Sequence, residues 1–199
     1  ARYSQVIDAY FAGVQKALGA GLDISQIRSV ASFFVSRVDS AIDSQLDALG
    51  TPAATSLRSQ AAIANARLAY ELWDERHSSN EAQTLAASGM HPQRPLWAST
   101  GVKDPSLPSA YYVTELAADN VVNTMPEKTL IALAEQGGVD GDRVRGNYDS
   151  ARETLHALQE LGISLDQVTD DLEAEGVEKF VQSWRELLES VAEAMKDSE

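Results

Sequence analysis

The stretch RPLWASTGVKDP at residues 94–105 predicts a buried strand that runs directly into a polar loop. Its apolar part covers residues 95–98, and turn-forming residues follow at once at positions 99–101. An apolar run that is closed by turn residues is typical of a buried strand followed by a loop. In parallel α/β proteins, ligands bind just beyond the carboxyl ends of such strands. Two hydroxyls, a glycine and the nearby Lys103 therefore predict an anion-binding loop.

Two further strands are predicted, one on each side of this stretch. Residues 27–34 are rich in β-branched and aromatic side chains, and residues 121–125 form a shorter apolar run. Segments with apolar residues three and four positions apart surround the strands and are typical of helices. The predicted helices cover residues 3–18, 38–49, 51–77, 82–87, 110–117 and 126–136. This alternation of strands and helices predicts an α/β fold with a parallel sheet.

The pattern changes after Gly141, where helices follow one another without a strand. The predicted helices of this tail cover residues 148–161, 165–174 and 177–195, the last of them strongly amphipathic. We therefore expect two parts, an α/β part at residues 1–141 and a helical tail at residues 142–199. Because the tail has no strand of its own, we expect it to pack across the outside of the sheet or over one end of it.

The composition excludes several classes of protein. The formal net charge is −14, and lysine and arginine form no cluster, so neither nucleic acid nor an acidic membrane surface is an expected partner. The chain has no cysteine, which excludes disulfides, thiolate nucleophiles and cysteine-ligated metals. That composition is compatible with a reducing compartment, and we expect a cytoplasmic protein. No segment reaches the roughly 18 apolar residues of a membrane span.

Neither a metal nor an organic cofactor is predicted. The three histidines, His77, His91 and His156, lack the spacing of metal ligands, and a surface position is the default for each of them. Helical periodicity is already established at Tyr3, and we therefore expect the chain to begin inside a domain.

Four segments together carry a family resemblance. They are ASFFVSRVDSAID at residues 31–43, RPLWASTGVKDP at 94–105, VVNTMPEKTL at 121–130 and LEAEGVEKFVQSW at 172–184. In this order they resemble the transaldolase family in its actinobacterial form. The similarity extends over essentially the whole chain, and the first two motifs are the most specific.

The resemblance implies a TIM (β/α)8 barrel, in which the three predicted strands are similar to strands six, seven and eight. It also implies the chemistry of a class I aldolase. In that chemistry a lysine forms a Schiff base with a ketose phosphate, and a dihydroxyacetone unit passes to an aldose phosphate. The reaction belongs to the pentose phosphate pathway and needs no metal or organic cofactor.

The similarity covers the C-terminal half of the family's proteins. The family's Schiff-base lysine lies on strand four in a motif like KIPAT, which this chain lacks, so the resemblance implies no catalytic residue in this chain. Three strands leave two edges and one sheet face open, whereas a closed barrel has no edges. We therefore expect a partner, which is either the missing N-terminal half of the barrel or further copies of the chain.

The resemblance assigns a phosphate-binding role to side chains at the end of the first strand. Ser32 and Arg37 would hold the substrate phosphate, and Phe34 would line the pocket. An arginine offers a planar fork of donors that suits phosphate oxygens. The alternative is that Arg37 lies at the start of a helix and forms a salt bridge with Asp39 or Asp43.

The second strand contributes Ser99, which matches the family serine that contacts phosphate. The arginine that usually follows this serine is absent at that spacing, and Lys103 is the candidate replacement. Lys103 has two other interpretations: a solvated loop lysine, or an amine nucleophile, which the adjacent Asp104 disfavours by stabilising the charged state. Asn123 ends the third strand and is a candidate pocket residue, while Thr124 either faces the pocket or caps the next helix.

Two functions are consistent with these features. The first is a transaldolase that acts on sugar phosphates, with this chain supplying the phosphate-binding half. The chain alone is then expected to be inactive, because the lysine is supplied elsewhere. The second is a non-catalytic sugar-phosphate-binding or assembly module.

Overall fold

A computed structural model describes residues 2–196, and these residues form nine α-helices, a short 3-10 helix and a three-stranded parallel sheet. The helices are α1 (Arg2–Gly19), α2 (Ser36–Leu49), α3 (Pro52–Ser56), α4 (Ala61–His77), α5 (Asn80–Ala87), α6 (Tyr111–Glu115), α7 (Glu127–Glu135), α8 (Tyr148–Glu160) and α9 (Leu165–Lys196). The strands are β1 (Ser29–Phe34), β2 (Gln93–Ala98) and β3 (Val122–Asn123), and the 3-10 helix covers Ile24–Gln26.

The three strands are parallel and are ordered β1-β2-β3, which confirms the predicted α/β architecture with a parallel sheet. The last residues of β1 and β2, Phe34 and Ala98, lie opposite each other. The ladder continues past both strands, because the backbone N–H of Val35 donates to the carbonyl oxygen of Ala98 at 2.9 Å. All three strands therefore end at one edge of the sheet. β3 has only two residues and is shorter than the predicted strand at 121–125.

The two faces of the sheet have different surroundings. Side chains alternate along a strand, so Ala31 and Phe33 of β1 share a face with Trp97 of β2, and this face packs against the helices. The Trp97 ring is fully buried, and its N–H donates to the carbonyl oxygen of Leu116 at 3.1 Å. The opposite face is open in this chain. The exposed side chains of this open face are Val30, Ser32 and Phe34 of β1 and Arg94 of β2.

Helix α4 is the centre of the helical layer and packs against α1, α2, α5 and α8. Its small alanine side chains are buried and allow the neighbouring helices to approach closely. Two aromatic side chains fill the remaining space, and each has its polar atom hydrogen-bonded. The Tyr70 hydroxyl donates to the carbonyl oxygen of Asp119 at 3.0 Å, and the Trp73 N–H donates to that of Gln93 at 2.6 Å. These bonds tie α4 to β2 and to the loop before β3.

The single helix predicted for residues 51–77 is wrong, because the structure divides it into α3 and α4. The Thr51 side chain accepts from the N–H of Ala54 at 3.2 Å and caps α3 as expected. The chain then leaves the helical path at Ser59, which has a φ of 59°. The N–H and the hydroxyl of Ser59 both donate to the buried carboxylate of Asp43. These two hydrogen bonds hold the chain outside the helical path between α3 and α4.

The two tail helices predicted at 165–174 and 177–195 are also wrong, because α9 is one helix of 32 residues. Gly176 lies in its interior, and a side-chain carbon added there would meet no other atom within 4 Å. One glycine costs a helix only about 1 kcal/mol relative to alanine, which is too little to break a helix of this length. Within residues 2–196, no helix combines the length and the apolar character that a membrane span requires.

The tail packs on the rest of the chain only in its first part. Helix α8 lies against α4, and α9 begins against α2. Ala151, Leu158 and Val168 are buried in the tail, and Leu158 and Val168 belong to the same core as α4. The distal half of α9 is exposed in this chain, and its packing across the outside of the sheet or over one end of it remains a prediction. Its exposed apolar side chains are Val177, Phe180, Val181, Trp184, Leu187, Leu188, Val191 and Met195. The division of the chain at residue 141 remains a prediction.

Candidate functional site

The carboxyl edge of the sheet brings the end of β2 against the start of α2. Helix α2 begins at Ser36, two residues after the end of β1. The N–H of Ser36 donates to the carbonyl oxygen of Ser99 at 2.9 Å, and their hydroxyl oxygens lie 3.0 Å apart and share a hydrogen bond. Ser36 was not among the predicted site residues. Its position in the sequence could have identified it, because it lies between the end of a predicted strand and Arg37. A residue at such a junction lies near the end of the neighbouring parallel strand.

Arg37 lies in the first turn of α2 and is exposed. Its guanidinium carbon is 4.5 Å from the centroid of the Phe34 ring, which is a cation–π contact. Within residues 2–196, Arg37 forms no ion pair. The predicted alternative, a salt bridge to Asp39 or Asp43, is wrong because both carboxylates are buried and bound by other groups.

Asp39 and Asp43 bind groups that come from outside α2. Asp39 accepts from the backbone N–H of Ala62 and from the hydroxyl of Tyr112, each at 2.8 Å. Asp43 accepts from the N–H and the hydroxyl of Ser59 at 2.8 and 3.0 Å. Burial, together with the negative charge of Asp43, raises the pKa of the Asp39 carboxyl to about 6, although the hydrogen bonds that it accepts act in the opposite direction.

Ser32 and Phe34 lie on the open face of the sheet, at alternate positions of β1. Ser32 is in register with Leu96 of β2, and Leu96 is in register with Val122 of β3. Since Arg37 contacts Phe34, its guanidinium lies on the same side of the sheet as Ser32. The structure thus brings three of the predicted residues to one side of β1.

Ser99 begins a loop that is held firmly in place. Its φ of 56° lies in the left-handed region, which is unfavourable for a residue other than glycine. The next residue, Thr100, is fully buried, and its hydroxyl lies 2.8 Å from the carbonyl oxygen of Thr124. Gly101 packs so closely that a side-chain carbon there would lie 3.1 Å from Cγ of Pro126. The loops after β2 and β3 are therefore interlocked, and Ser99 sits where they begin.

Lys103 is exposed further along this loop and has no ion pair within the described part of the chain. Its neighbour Asp104 is bound elsewhere, because it accepts from the N–H of Ser106 at 2.8 Å and forms an ion pair with Arg58 at 3.3 Å. These contacts, led by the hydrogen bonds from Ser106, lower the pKa of Asp104. Asp104 is thus not the counter-ion that was expected beside Lys103. The role of Lys103 remains a prediction.

Asn123 is in register with Trp97, whose ring lies on the helix-facing side of the sheet. Its side-chain oxygen is 3.0 Å from the hydroxyl oxygen of Thr100. This register does not favour a contact between Asn123 and the pocket, and the contact remains a prediction. The Thr124 hydroxyl donates to the carbonyl oxygen of Trp97 at 3.2 Å. Helix α7 has Pro126 at its cap position, so the interpretation of Thr124 as a helix cap is wrong.

The histidines do not form a metal site in the described part of the chain, where no group of three or more potential ligands comes together. His77 is half-buried, and its ring stacks on Trp73 with 4.6 Å between the ring centroids. Its Nδ1 lies 2.8 Å from the carbonyl oxygen of Trp73. Burial lowers the pKa of His77. The predicted surface position is therefore wrong for His77, whereas His156 is exposed as expected.

Comparisons with known proteins agree with the motifs at this edge of the sheet. Residues 1–191 match the family model described as transaldolase/fructose-6-phosphate aldolase. A transaldolase of Renibacterium salmoninarum is 57% identical over 197 residues, which are 99% of this chain and 53% of the relative. Transaldolases of Parafrankia sp. and Thermobifida fusca are 55% and 54% identical, and each match covers 98% of this chain and 53% of the relative.

The chain spans about half the length of the curated relatives it matches. The family match covers both motifs that end at the carboxyl edge of the sheet, ASFFVSR and RPLWAST. The parallel sheet, the shared strand ends and this match agree with one another, and the chain belongs to the transaldolase/fructose-6-phosphate aldolase family.

Proposed function

We propose that this chain is the phosphate-binding, C-terminal half of a transaldolase of the pentose phosphate pathway. The observation that carries the proposal is the position of Arg37, which lies over Phe34 and has no carboxylate partner in the described residues. It directly follows Ser36, whose hydroxyl shares a hydrogen bond with that of Ser99. In this role the chain binds the phosphate of a ketose or aldose phosphate. The other half supplies the Schiff-base lysine that the family resemblance implies.

The chemistry of these groups suits a phosphate. The guanidinium offers two parallel N–H donors to phosphate oxygens, and the N-terminal end of α2 adds a favourable dipole for an anion. Ser32 and Ser99 would donate hydroxyl hydrogen bonds to the same anion. Lys103 would add a second positive charge from the loop. A contact between Asn123 and the substrate would require its side chain to leave Thr100, because its register with Trp97 favours the helix-facing side of the sheet.

The open face of the sheet is an argument for a partner that completes a (β/α)8 barrel. Val30 is 44% exposed and Phe34 is 42% exposed on this face, which is unfavourable for apolar side chains in water. The curated relatives are nearly twice as long as this chain. We therefore propose that an N-terminal half pairs with the free edges of β1 and β3 and covers this face. We also propose that the protein is cytoplasmic, as its composition leads us to expect.

The distal half of α9 would bind the same partner. Its apolar side chains occupy a stripe about three positions wide in every seven, which is typical of a helix that packs on a globular surface. A strict two-in-seven seam, which favours a two-stranded coiled coil, is narrower. A globular half of the same protein therefore suits this helix better than a second copy of α9.

Borohydride trapping tests the proposed enzyme. The chain is incubated with fructose 6-phosphate and borohydride, alone and together with the N-terminal half of the Renibacterium salmoninarum transaldolase. We expect covalent labelling only in the mixture, and only on the N-terminal half. Arg37→Ala should weaken phosphate binding by about 1.5–3 kcal/mol if the contact is charge-assisted. Labelling of this chain alone would point to Lys103 as the nucleophile and overturn the proposal.

The second candidate is a non-catalytic sugar-phosphate binder. It is favoured by the fact that the residues proposed to bind phosphate lie in this chain, whereas the family's lysine motif does not. The same experiment separates the two functions. Saturable phosphate binding that Arg37→Ala abolishes, without labelling in a mixture that forms a stable complex, would support the binder.

A further inference from the structure

Asp39 lies two residues after Arg37 and joins three helices. Its carboxylate is 2% exposed and accepts from the backbone N–H of Ala62 at the start of α4. It also accepts from the hydroxyl of Tyr112 in α6. No other titratable side chain of α2 binds two different elements in this way within the described residues. Asp39 thus links the first turn of α2 to both α4 and α6.

The bond to Ala62 gives α4 a cap that its own sequence lacks. The residue before α4, Gln60, makes no capping hydrogen bond with its side chain. The first backbone N–H groups of a helix need acceptors, and a carboxylate there also interacts favourably with the helix dipole. Asp39 supplies this acceptor from another helix. The start of α2 is therefore coupled to the start of α4.

The bond to Tyr112 connects α2 to helix α6, which lies next to the second loop of the proposed phosphate site. Helix α6 directly follows the loop that carries Ser99 and Lys103. At the other end of that loop, Ser99 binds Ser36. Arg37 is thus bracketed by two contacts to the β2–α6 segment, one through Ser36 before it and one through Asp39 after it.

We propose that Asp39 is a positioning residue, which holds the first turn of α2 so that Arg37 stays over Phe34 and beside Ser99. This inference rests on the proposed role of Arg37 in phosphate binding. Within residues 2–196 the guanidinium has no polar partner, so only the backbone position of α2 and the Phe34 ring direct it. Loss of the Asp39 carboxylate would make the first turn of α2 more mobile, and the Arg37 guanidinium would then occupy a wider range of positions.

Asp43 provides a matched control. It lies one turn further along α2, is 9% exposed, and receives two hydrogen bonds, as Asp39 does. Both of its bonds come from Ser59, so it binds the turn before α4 and no side chain of α6. Its removal should lower the stability of the fold without moving Arg37.

The test measures the dissociation constant of inorganic phosphate by calorimetry at pH 7.5, with the unfolding midpoint of each variant measured in parallel. Asp39→Ala should weaken phosphate binding by about tenfold, whereas Asp43→Ala should change it less than twofold. Asp39→Asn should restore binding to within about threefold, because the amide oxygen accepts from Ala62 and the amide nitrogen donates to the Tyr112 oxygen. An unchanged affinity in folded Asp39→Ala would overturn the inference.

A double-mutant cycle separates positioning from a general loss of stability. If Asp39 acts through Arg37, then Asp39→Ala should have no further effect on the weak phosphate binding that remains in Arg37→Ala. An equal loss in both backgrounds would overturn the inference and leave the proposed function intact. Absence of phosphate binding in the parent chain would overturn both.

Tyr112→Phe keeps the test decisive should Asp39→Ala not fold. This variant retains the cap on α4 and removes only the contact between Asp39 and α6. We expect a two- to fourfold loss of phosphate affinity that disappears in the Arg37→Ala background. An unchanged affinity in Tyr112→Phe would overturn the coupling to α6.

Discussion

Ser99 combines an unfavourable backbone conformation with a place at the start of the loop that follows β2. Its left-handed φ of 56° costs on the order of 1 kcal/mol for a residue with a side chain. Its side-chain hydroxyl shares a hydrogen bond with the hydroxyl of Ser36. A glycine at this position would adopt the same backbone without strain but would offer no hydroxyl. The backbone strain at Ser99 is therefore consistent with the phosphate-binding role that we propose for its hydroxyl.

The pair Ser99→Gly and Ser99→Ala tests this balance. Both variants lose the hydrogen bond to Ser36, which contributes roughly 0.5–1.5 kcal/mol, but only glycine removes the strain. We expect Ser99→Gly to unfold at nearly the parent's urea midpoint and to be about 1 kcal/mol more stable than Ser99→Ala. Both should bind inorganic phosphate several-fold more weakly than the parent. Equal stability of the two variants would contradict the strain at Ser99.

Helix α2 contains a carboxyl group whose ionisation opposes folding. The pKa of Asp39 is raised by burial to about 6, whereas an aspartate in an unfolded chain has a pKa of about 3.9. The folded protein therefore binds this proton more tightly than the unfolded protein does. The stabilisation is fully present below pH 4 and is lost as the pH rises through 6.

Asp39→Asn should therefore change the pH dependence of stability. The asparagine cannot ionise, so the free energy of unfolding of the variant minus that of the parent should rise between pH 4 and pH 7. The expected rise is on the order of 1–3 kcal/mol, from two pKa units at about 1.4 kcal/mol each. Urea denaturation across this range measures it. A constant difference would show that the Asp39 carboxyl titrates normally.

Helix α9 is continuous in spite of the glycine in its interior. Gly176 has open space around it, so an alanine there would gain helix propensity without a clash. We expect Gly176→Ala to raise the helical signal in circular dichroism and to stabilise α9 by about 0.5–1 kcal/mol. Gly162, which follows α8 with a φ of 81°, is the control. Gly162→Ala should destabilise the chain, because alanine is strained in that conformation.

At the scale of the whole molecule, the open face of the sheet and the distal half of α9 both expose apolar side chains to solvent. Trp184 reports on the second of these, because it is 60% exposed while Trp73 and Trp97 are 3% and 0% exposed. Three tryptophans in such different surroundings give three distinct probes. Fluorine labelling of this chain alone makes them visible in a complex with an unlabelled partner.

We expect the N-terminal half of the Renibacterium salmoninarum transaldolase to cover Trp184. In the chain labelled with 5-fluorotryptophan, the ¹⁹F resonance of Trp184 should lose its solvent isotope shift when the unlabelled partner is added. The resonances of Trp73 and Trp97 should show no such shift before or after mixing. Trp184→Phe assigns the signal. A complex detected by ultracentrifugation in which Trp184 keeps its isotope shift would contradict a role for α9 in this interface.

Much of the element order follows from local sequence patterns. The apolar runs that end in Phe34 and Ala98 are strands, and the helices between them have the expected three-to-four periodicity, because these patterns depend on neighbours within a few residues. Ser32, Phe34 and Arg37 likewise lie within six positions of one another, so that one short motif is enough to carry the family resemblance. The parallel arrangement of the sheet follows from the helices that connect its strands.

The tertiary structure decided which groups bind each other. Asp39 and Asp43 are close to Arg37 in sequence, yet their partners are Ala62, Tyr112 and Ser59, which lie 16 to 73 positions away. Those distant donors leave Arg37 without a carboxylate partner and break the helix predicted at residues 51–77. By itself the sequence determined most of the elements, because helix and strand patterns are short-range. Only folding determined the partners of each charge, because a buried carboxylate binds whichever donors the packing brings to it.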